Sequence, residues 1–157
     1  MPVAQTEAKL RWEDGVPVSV AFNDPYYARS DGLAETRHVF LDGNNLSNRF
    51  ASAQTFRIAE LGFGTGLNFL TALTLWRKVA RPGGVLKFTS FERFPMTPAE
   101  RTRALACWPE LDALRTEWQD GRLPDADLEV IHGDARECLP RWQGAADAWF
   151  LYGFAML

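Results

Sequence analysis

Cysteine and histidine are scarce, with two of each among 157 residues. Cys107 and Cys138 are too few and too far apart for a zinc ribbon or a disulfide scaffold, so both are expected to be reduced and buried. His38 and His132 lack the spacing of metal ligands, and no metal is expected. Long apolar runs are missing too: none reaches the roughly 18 to 20 residues that a membrane span requires. The opening stretch MPVAQTEAKLRWEDG carries charges where a signal peptide has its apolar centre, which gives the expectation of a cytoplasmic protein. Charge of one sign is also lacking. Seventeen Lys and Arg against 20 Asp and Glu leave a net charge of -3, which excludes a generic basic coat for nucleic acid but not a local patch.

What is present is a chain 46% apolar and 13% aromatic, sufficient for one globular domain with a sizeable core. There is no internal repeat or low-complexity linker, so organisation is read from periodicity and breakers. Residues 1–50 hold turn formers (Glu13-Asp14-Gly15, Asn23-Asp24-Pro25, Asp31-Gly32, Asp42-Gly43-Asn44-Asn45) between short apolar runs, Val16 to Phe22 and His38 to Leu41 among them. This segment is expected to be an extension of short strands and loops. Residues 51–157 alternate compact apolar runs with stretches of helical period, the pattern of a parallel sheet covered by helices.

The first run, Phe56 to Leu61, leads into a glycine turn and then Leu67 to Ala80, where Leu67, Leu70, Leu73 and Trp76 recur every third residue. A second strand is expected over Val85 to Glu92. Thr97-Pro98-Ala99-Glu100 is a helix start, with a threonine cap, proline in the first turn and a glutamate that reaches back. The helix is interrupted at Pro109 and stops at Asp120-Gly121. A third strand at Leu128 to His132, a short helix at Asp134 to Leu139 and a fourth strand at Ala146 to Tyr152 complete the series. Right-handed crossovers then give an α/β fold: half of a doubly wound, mainly parallel sheet with the first strand central, the second and third on one side and the fourth on the other. In such a sheet ligands bind outside the carboxyl ends of the strands.

The residues with chemistry fall at that edge. Gly62-Phe63-Gly64-Thr65-Gly66 lies between the first strand and the first helix, although G-x-G-x-G is not the G-x-G-x-x-G of a dinucleotide fold. Glu60 precedes it, Glu92 ends the second strand and Asp134 follows the third. Three acids around one glycine turn suit a ligand with an ammonium, a ribose diol and an adenine amine, each a donor to a carboxylate. S-adenosylmethionine carries all three. The plainer alternative is structural: Asp134 as a helix cap, Glu60 as a buried hydrogen-bond acceptor, the tryptophans as packing.

Glu60-Leu61-Gly62-Phe63-Gly64-Thr65-Gly66-Leu67-Asn68-Phe69-Leu70, the upstream Glu35-Thr36-Arg37-His38-Val39-Phe40-Leu41 with Gly43-Asn44, and Asp147-Ala148-Trp149-Phe150-Leu151 before Gly153-Phe154-Ala155 resemble the methyltransferase domain of the MnmC tRNA-modification proteins and their stand-alone relatives. The resemblance runs from about Val18 to Ala155. It implies a class I, Rossmann-like methyltransferase that uses S-adenosylmethionine to convert 5-aminomethyl-2-thiouridine at the tRNA wobble position to 5-methylaminomethyl-2-thiouridine. The implied cofactor residues are Gly62, Gly64 and Gly66 at the methionine end, Glu60 at its ammonium, Glu92 at the ribose, Asp134 at the adenine, and Asn44 and Asn68 in the same pocket. The implied partners are tRNA and a flavin-dependent oxidase, to which the domain is fused in many bacteria. Two departures stand out. The family's fourth strand ends Phe-Leu-Asp-Gly-Phe-Ala-Pro, whereas this chain places Tyr152 at the acidic, catalytic position; and the family continues through three further strands, so the chain resembles a C-terminally truncated domain with weak turnover. The fourth strand is then expected to be an exposed apolar edge that self-associates, is covered by the N-terminal segment or leaves the chain aggregation-prone. The alternative function is a non-catalytic cofactor-binding or interaction module from a truncated gene; a nicotinamide-dependent oxidoreductase ranks third. Arg29, Arg37, Arg49, Arg101 and Arg103 are the candidate phosphate contacts.

Overall fold

Thr55–Leu61 (β4) and Val85–Glu92 (β5) are short, apolar and rich in β-branched and aromatic residues, and they lie side by side in parallel, Glu60 opposite Ser90 and Leu61 opposite Phe91. This computed structural model describes residues 7–26 and 31–151. Ala126–His132 (β6) pairs with the far side of β5, and Ala148–Phe150 (β7) with the far side of β4, giving the order β6-β5-β4-β7 with every pair parallel. That is the expected arrangement, with the first strand of the series central. The strand expected over Ala146 to Tyr152 is shorter, and Tyr152 lies outside the described residues.

Leu67–Val79 (α3) covers one face of the sheet with Leu67, Phe69, Leu70, Leu73 and Trp76 buried. Pro98–Leu105 (α4) starts at the expected cap: the Thr97 hydroxyl accepts from the Glu100 N–H, and the Glu100 carboxylate accepts from the Thr97 N–H. A single 3₁₀ turn at Pro109–Leu111 passes the chain into Asp112–Gln119 (α5), because proline cannot continue the first helix. Ala135–Cys138 (α6) links β6 to β7.

The N-terminal segment departs from expectation. Leu10–Glu13 (β1), Val16–Ser19 (β2) and Asp24–Pro25 (β3) are short strands as anticipated, and they pair into a small antiparallel sheet. Residues from Gly32 onward, however, are helical: Gly32–Thr36 (α1) runs into one wide turn of π-helix at Arg37–Asp42, and Leu46–Ala51 (α2) follows. The run His38 to Leu41 is therefore not a strand. Gly32, Leu33, Thr36, Phe40 and Leu41 are the buried positions, a helical spacing that dominates the short apolar run. Asp31 caps α1 by accepting from the Ala34 N–H.

One core joins the two segments. Phe50 of α2 is fully buried, edge-on to Phe56 and Trp76. Phe40 stacks on Phe150 of β7 at 4.6 Å, and the Arg49 guanidinium donates to the Asp147 carbonyl at 2.6 Å. The N-terminal segment thus covers β7 on the α3 face. On the other face Trp149 stays 36% exposed beside Trp142, and Leu151 stays 43% exposed. Cys107 is exposed and Cys138 half-buried, neither in a disulfide, against the expectation that both are buried. Among the described residues no helix is long and apolar enough to cross a membrane.

Candidate cofactor site

The glycine turn continues β4 for one more hydrogen bond, Gly62 N–H to the Phe91 carbonyl at 2.8 Å, and then bends back into α3. Gly66 has φ +87° and an added Cβ there would sit 3.1 Å from the Trp118 indole and 3.2 Å from the Phe63 ring, so the close approach of helix and aromatic pair demands glycine. An added Cβ at Gly62 would meet nothing within 4 Å. This is the open side of the turn. Behind it stands the N-terminus of a 13-residue helix, whose backbone dipoles favour an anionic group such as a carboxylate.

Two acids flank the turn. Glu60 is 1% exposed; its Oε2 accepts from Asn68 Nδ2 and its Oε1 from the Ser90 hydroxyl, both at 2.8 Å. Burial pushes its pKa up to about 8, against the lowering effect of those two donors, and neighbouring Glu92 adds to the rise. Glu92 is 3% exposed, accepting from the Gly64 N–H at 2.8 Å and the Phe94 N–H at 3.3 Å. Burial raises its pKa too, while the backbone N–H groups of Gly64, Phe94 and Arg93 oppose the shift. Among the described residues neither acid is in an ion pair. Buried carboxylates without a cation are costly and are poised to receive one.

Asp134 is placed at the same edge, since Gly133 N–H donates to the Glu92 carbonyl at 2.9 Å. Its surroundings differ. It caps α6 through the Arg136 N–H, the Arg136 guanidinium reaches it at 2.6 Å and Arg93 stands at 3.6 Å. The Arg136 hydrogen bonds hold its pKa down at about 2. Asn68 donates to Glu60, and its Oδ1 accepts from the Thr36 hydroxyl at 2.9 Å. The Asn44 amide donates to the Phe40 carbonyl at 2.8 Å, at the end of the π-helical turn. Tyr152 and Arg29 lie outside the described residues.

Sequence reasoning missed three participants. The Tyr26 ring lies over the turn, 3.1 Å from where a Gly64 Cβ would be; burial first, then Glu92 and Glu100, push its hydroxyl pKa upward. Ser90 and Thr36 supply donors to the Glu60 network. Ser90 was findable: it is polar, in register with Glu60 and on the same side of its strand as Glu92. Of the candidate phosphate-binding arginines, Arg49 is held by the Asn44 and Asp147 carbonyls, Arg101 by the Met96 carbonyl and the Trp118 face, and Arg103 lies over Trp12. Arg37 is exposed on the π-helical turn. An open depression of about 460 Å³ between Ile131, Cys138, Arg141 and Trp142 contains none of the candidate cofactor residues.

Residues 101–156 match the model of a family described as S-adenosyl-L-methionine-dependent methyltransferase. Over 98% of its length the chain is 44% identical to the tRNA 5-methylaminomethyl-2-thiouridine biosynthesis bifunctional protein MnmC of Chromobacterium violaceum, of which it covers 26%. The protein of the same name from Pseudomonas aeruginosa is 46% identical over 94% of this chain and 25% of its own length. The chain is thus similar over nearly its whole length to the MnmC proteins, and over residues 101–156 to a family of S-adenosyl-L-methionine-dependent methyltransferases. This MnmC-like chain spans about a quarter of the length of those relatives. Its fold matches the crystal structure of MNMC2 from Aquifex aeolicus with a TM-score of 0.70, at 22% identity, over 96% of this chain and 51% of that one. The family's cofactor is S-adenosylmethionine, as the strand-end acids led us to expect. The residues present fit it: an open glycine turn, a helix N-terminus and two buried acids that are in no ion pair among the described residues.

Proposed function

We propose that this chain binds S-adenosylmethionine at the Gly62–Gly66 turn and methylates the aminomethyl nitrogen of 5-aminomethyl-2-thiouridine at the tRNA wobble position. The observation that carries this reading is the pair of buried acids beside the open turn, Glu60 and Glu92, neither in an ion pair among the described residues, in a chain similar to proteins named for 5-methylaminomethyl-2-thiouridine biosynthesis. When bound, the cofactor supplies a methyl group made electrophilic by its sulfonium. The protein's share is alignment. Glu60 takes the ammonium of the amino-acid end, the turn and the start of α3 its carboxylate, and Glu92 the ribose hydroxyls. Asp134 is assigned to the adenine amine, which must share the carboxylate with Arg136. The substrate amine attacks only when unprotonated, so the site must hold it in line as a free base. Tyr152 is assigned to the amine's approach; a phenol of pKa about 10 serves there as a hydrogen-bond partner rather than as a base.

Arg37 is the candidate for a phosphate contact on the tRNA. A flavin-dependent oxidase that generates the primary amine is the proposed functional partner, consistent with relatives described as bifunctional and about four times as long. The outer edge of β7, beside the exposed Trp149 and Leu151, is the proposed route of self-association. A cofactor-binding module without turnover is the second reading, favoured by tyrosine at position 152. Calorimetric titration with S-adenosylhomocysteine, followed by methyl transfer to tRNA carrying 5-aminomethyl-2-thiouridine, tests both. Binding with transfer supports the first reading and binding without transfer the second. Absence of binding by folded protein defeats the assignment.

A further inference from the structure

The motif Glu35-Thr36-Arg37-His38 contributes one side chain to the Glu60 network, without itself lining the glycine turn. Thr36 ends α1, is 5% exposed, and its hydroxyl donates to Asn68 Oδ1. An amide offers an acceptor on one side and donors on the other, so a hydroxyl that engages Oδ1 turns Nδ2 toward whatever lies opposite. Opposite is Glu60. We propose that Thr36 is a positioning residue that locks the Asn68 amide so that Glu60 meets only donors, which keeps its carboxyl as the acceptor a cationic amino-acid end requires.

The consequence follows from what else surrounds Glu60. Ser90 donates from β5, Asn68 from α3, Phe150 stands beside it on β7, and Glu92 is the charged group that faces it. Burial and Glu92 both press the carboxyl toward its neutral form. Two oriented donors oppose that pressure, because a protonated carboxyl would turn its hydrogen toward another donor. Without the Thr36 hydroxyl the amide is free to rotate and offer Oδ1, which accepts from a protonated Glu60 and stabilises the neutral acid. A neutral acid attracts an ammonium weakly. The segment holding Thr36 therefore sets the charge state of a residue 24 positions further along the chain without touching the ligand.

The inference rests on the proposed cofactor site, and its test separates the two. Wild type, Thr36→Val and Thr36→Ser are titrated with S-adenosylhomocysteine, which carries the ammonium, and with 5′-methylthioadenosine, which lacks it, from about pH 6 to about pH 9. Thr36→Val should bind S-adenosylhomocysteine about tenfold more weakly near neutral pH, the typical size of one lost hydrogen bond to a charged group. The rise of affinity with pH should move upward, 5′-methylthioadenosine binding should stay unchanged, and Thr36→Ser should match wild type. Thr36→Ala gives the same readout if the valine variant does not fold. Equal weakening of both ligands, or weakening in Thr36→Ser as well, would assign Thr36 to packing and overturn the inference. So would an unaltered Thr36→Val. Folded wild type that fails to bind S-adenosylhomocysteine would instead defeat the site itself, and the inference with it.

Discussion

Glu60 and Asp134 both end strands of one parallel sheet, but they live in opposite surroundings. Glu60 is buried, held by neutral donors and lifted to a pKa of about 8; Asp134 is half-buried, held by two arginines and its own cap, and lowered to about 2. The first is an acid that an arriving ammonium would help to ionise; the second is already paired with cations. The difference shows that position at a strand end is not enough to make an acid a ligand. What the rest of the chain offers the carboxylate decides whether it is left available.

Substitutions that break this contrast should differ in size. Glu60→Gln should have the largest effect on ligand binding, weakening S-adenosylhomocysteine by roughly one to two orders of magnitude in calorimetry, because a charge-assisted contact is lost in a buried site. Its stability should move the other way with pH. The folded chain holds the Glu60 proton more firmly than the unfolded chain, so that residue favours folding most below about pH 4.5 and the contribution is lost as pH rises to about 8. The Tm of Glu60→Gln should therefore gain on wild type across that window, by scanning calorimetry at several pH values.

Glu92→Ala comes next, with affinity reduced about tenfold and, in addition, a lower Tm. Glu92 is 3% exposed and accepts from the Gly64 and Phe94 N–H groups, which alanine would leave unpaired at a cost of about 1–3 kcal/mol. Gly66→Ala tests the cradle rather than its acids and should lower stability by about 1–2 kcal/mol or more in denaturant titration, from its positive φ and the clash with Trp118. Asp134→Asn should be the smallest change, since asparagine caps a helix as well as aspartate and the lost arginine contacts are solvent-exposed. Its affinity should fall less than about threefold.

Much of this architecture is legible in the residues. Val85 to Glu92 reads as a strand because its apolar run is bounded by Pro82-Gly83-Gly84 and a polar turn, and Thr97-Pro98-Ala99-Glu100 states its helix cap in four letters. The acids at Glu60 and Glu92 stand out because a charge at the end of an apolar strand is costly without a purpose. What was not legible depends on packing between distant segments. His38 to Leu41 read as extended until Leu33 and Thr36 are seen to share its buried face. Tyr26 over Gly64, and Thr36 behind Asn68, are contacts across tens of residues that no local pattern announces. Asp134 could be read as cap or as ligand; the sequence shows Arg136 nearby but not that its guanidinium folds back.

The central claim is that buried Glu60, and not arginine-held Asp134, is the acid that makes this turn a cofactor site. Side-by-side calorimetric titration of S-adenosylhomocysteine into wild type, Glu60→Gln and Asp134→Asn near neutral pH tests it most directly. Binding by wild type and Asp134→Asn, with binding by Glu60→Gln lost or reduced by an order of magnitude or more, is the predicted result. Equal affinity in wild type and Glu60→Gln, with loss confined to Asp134→Asn, would contradict it.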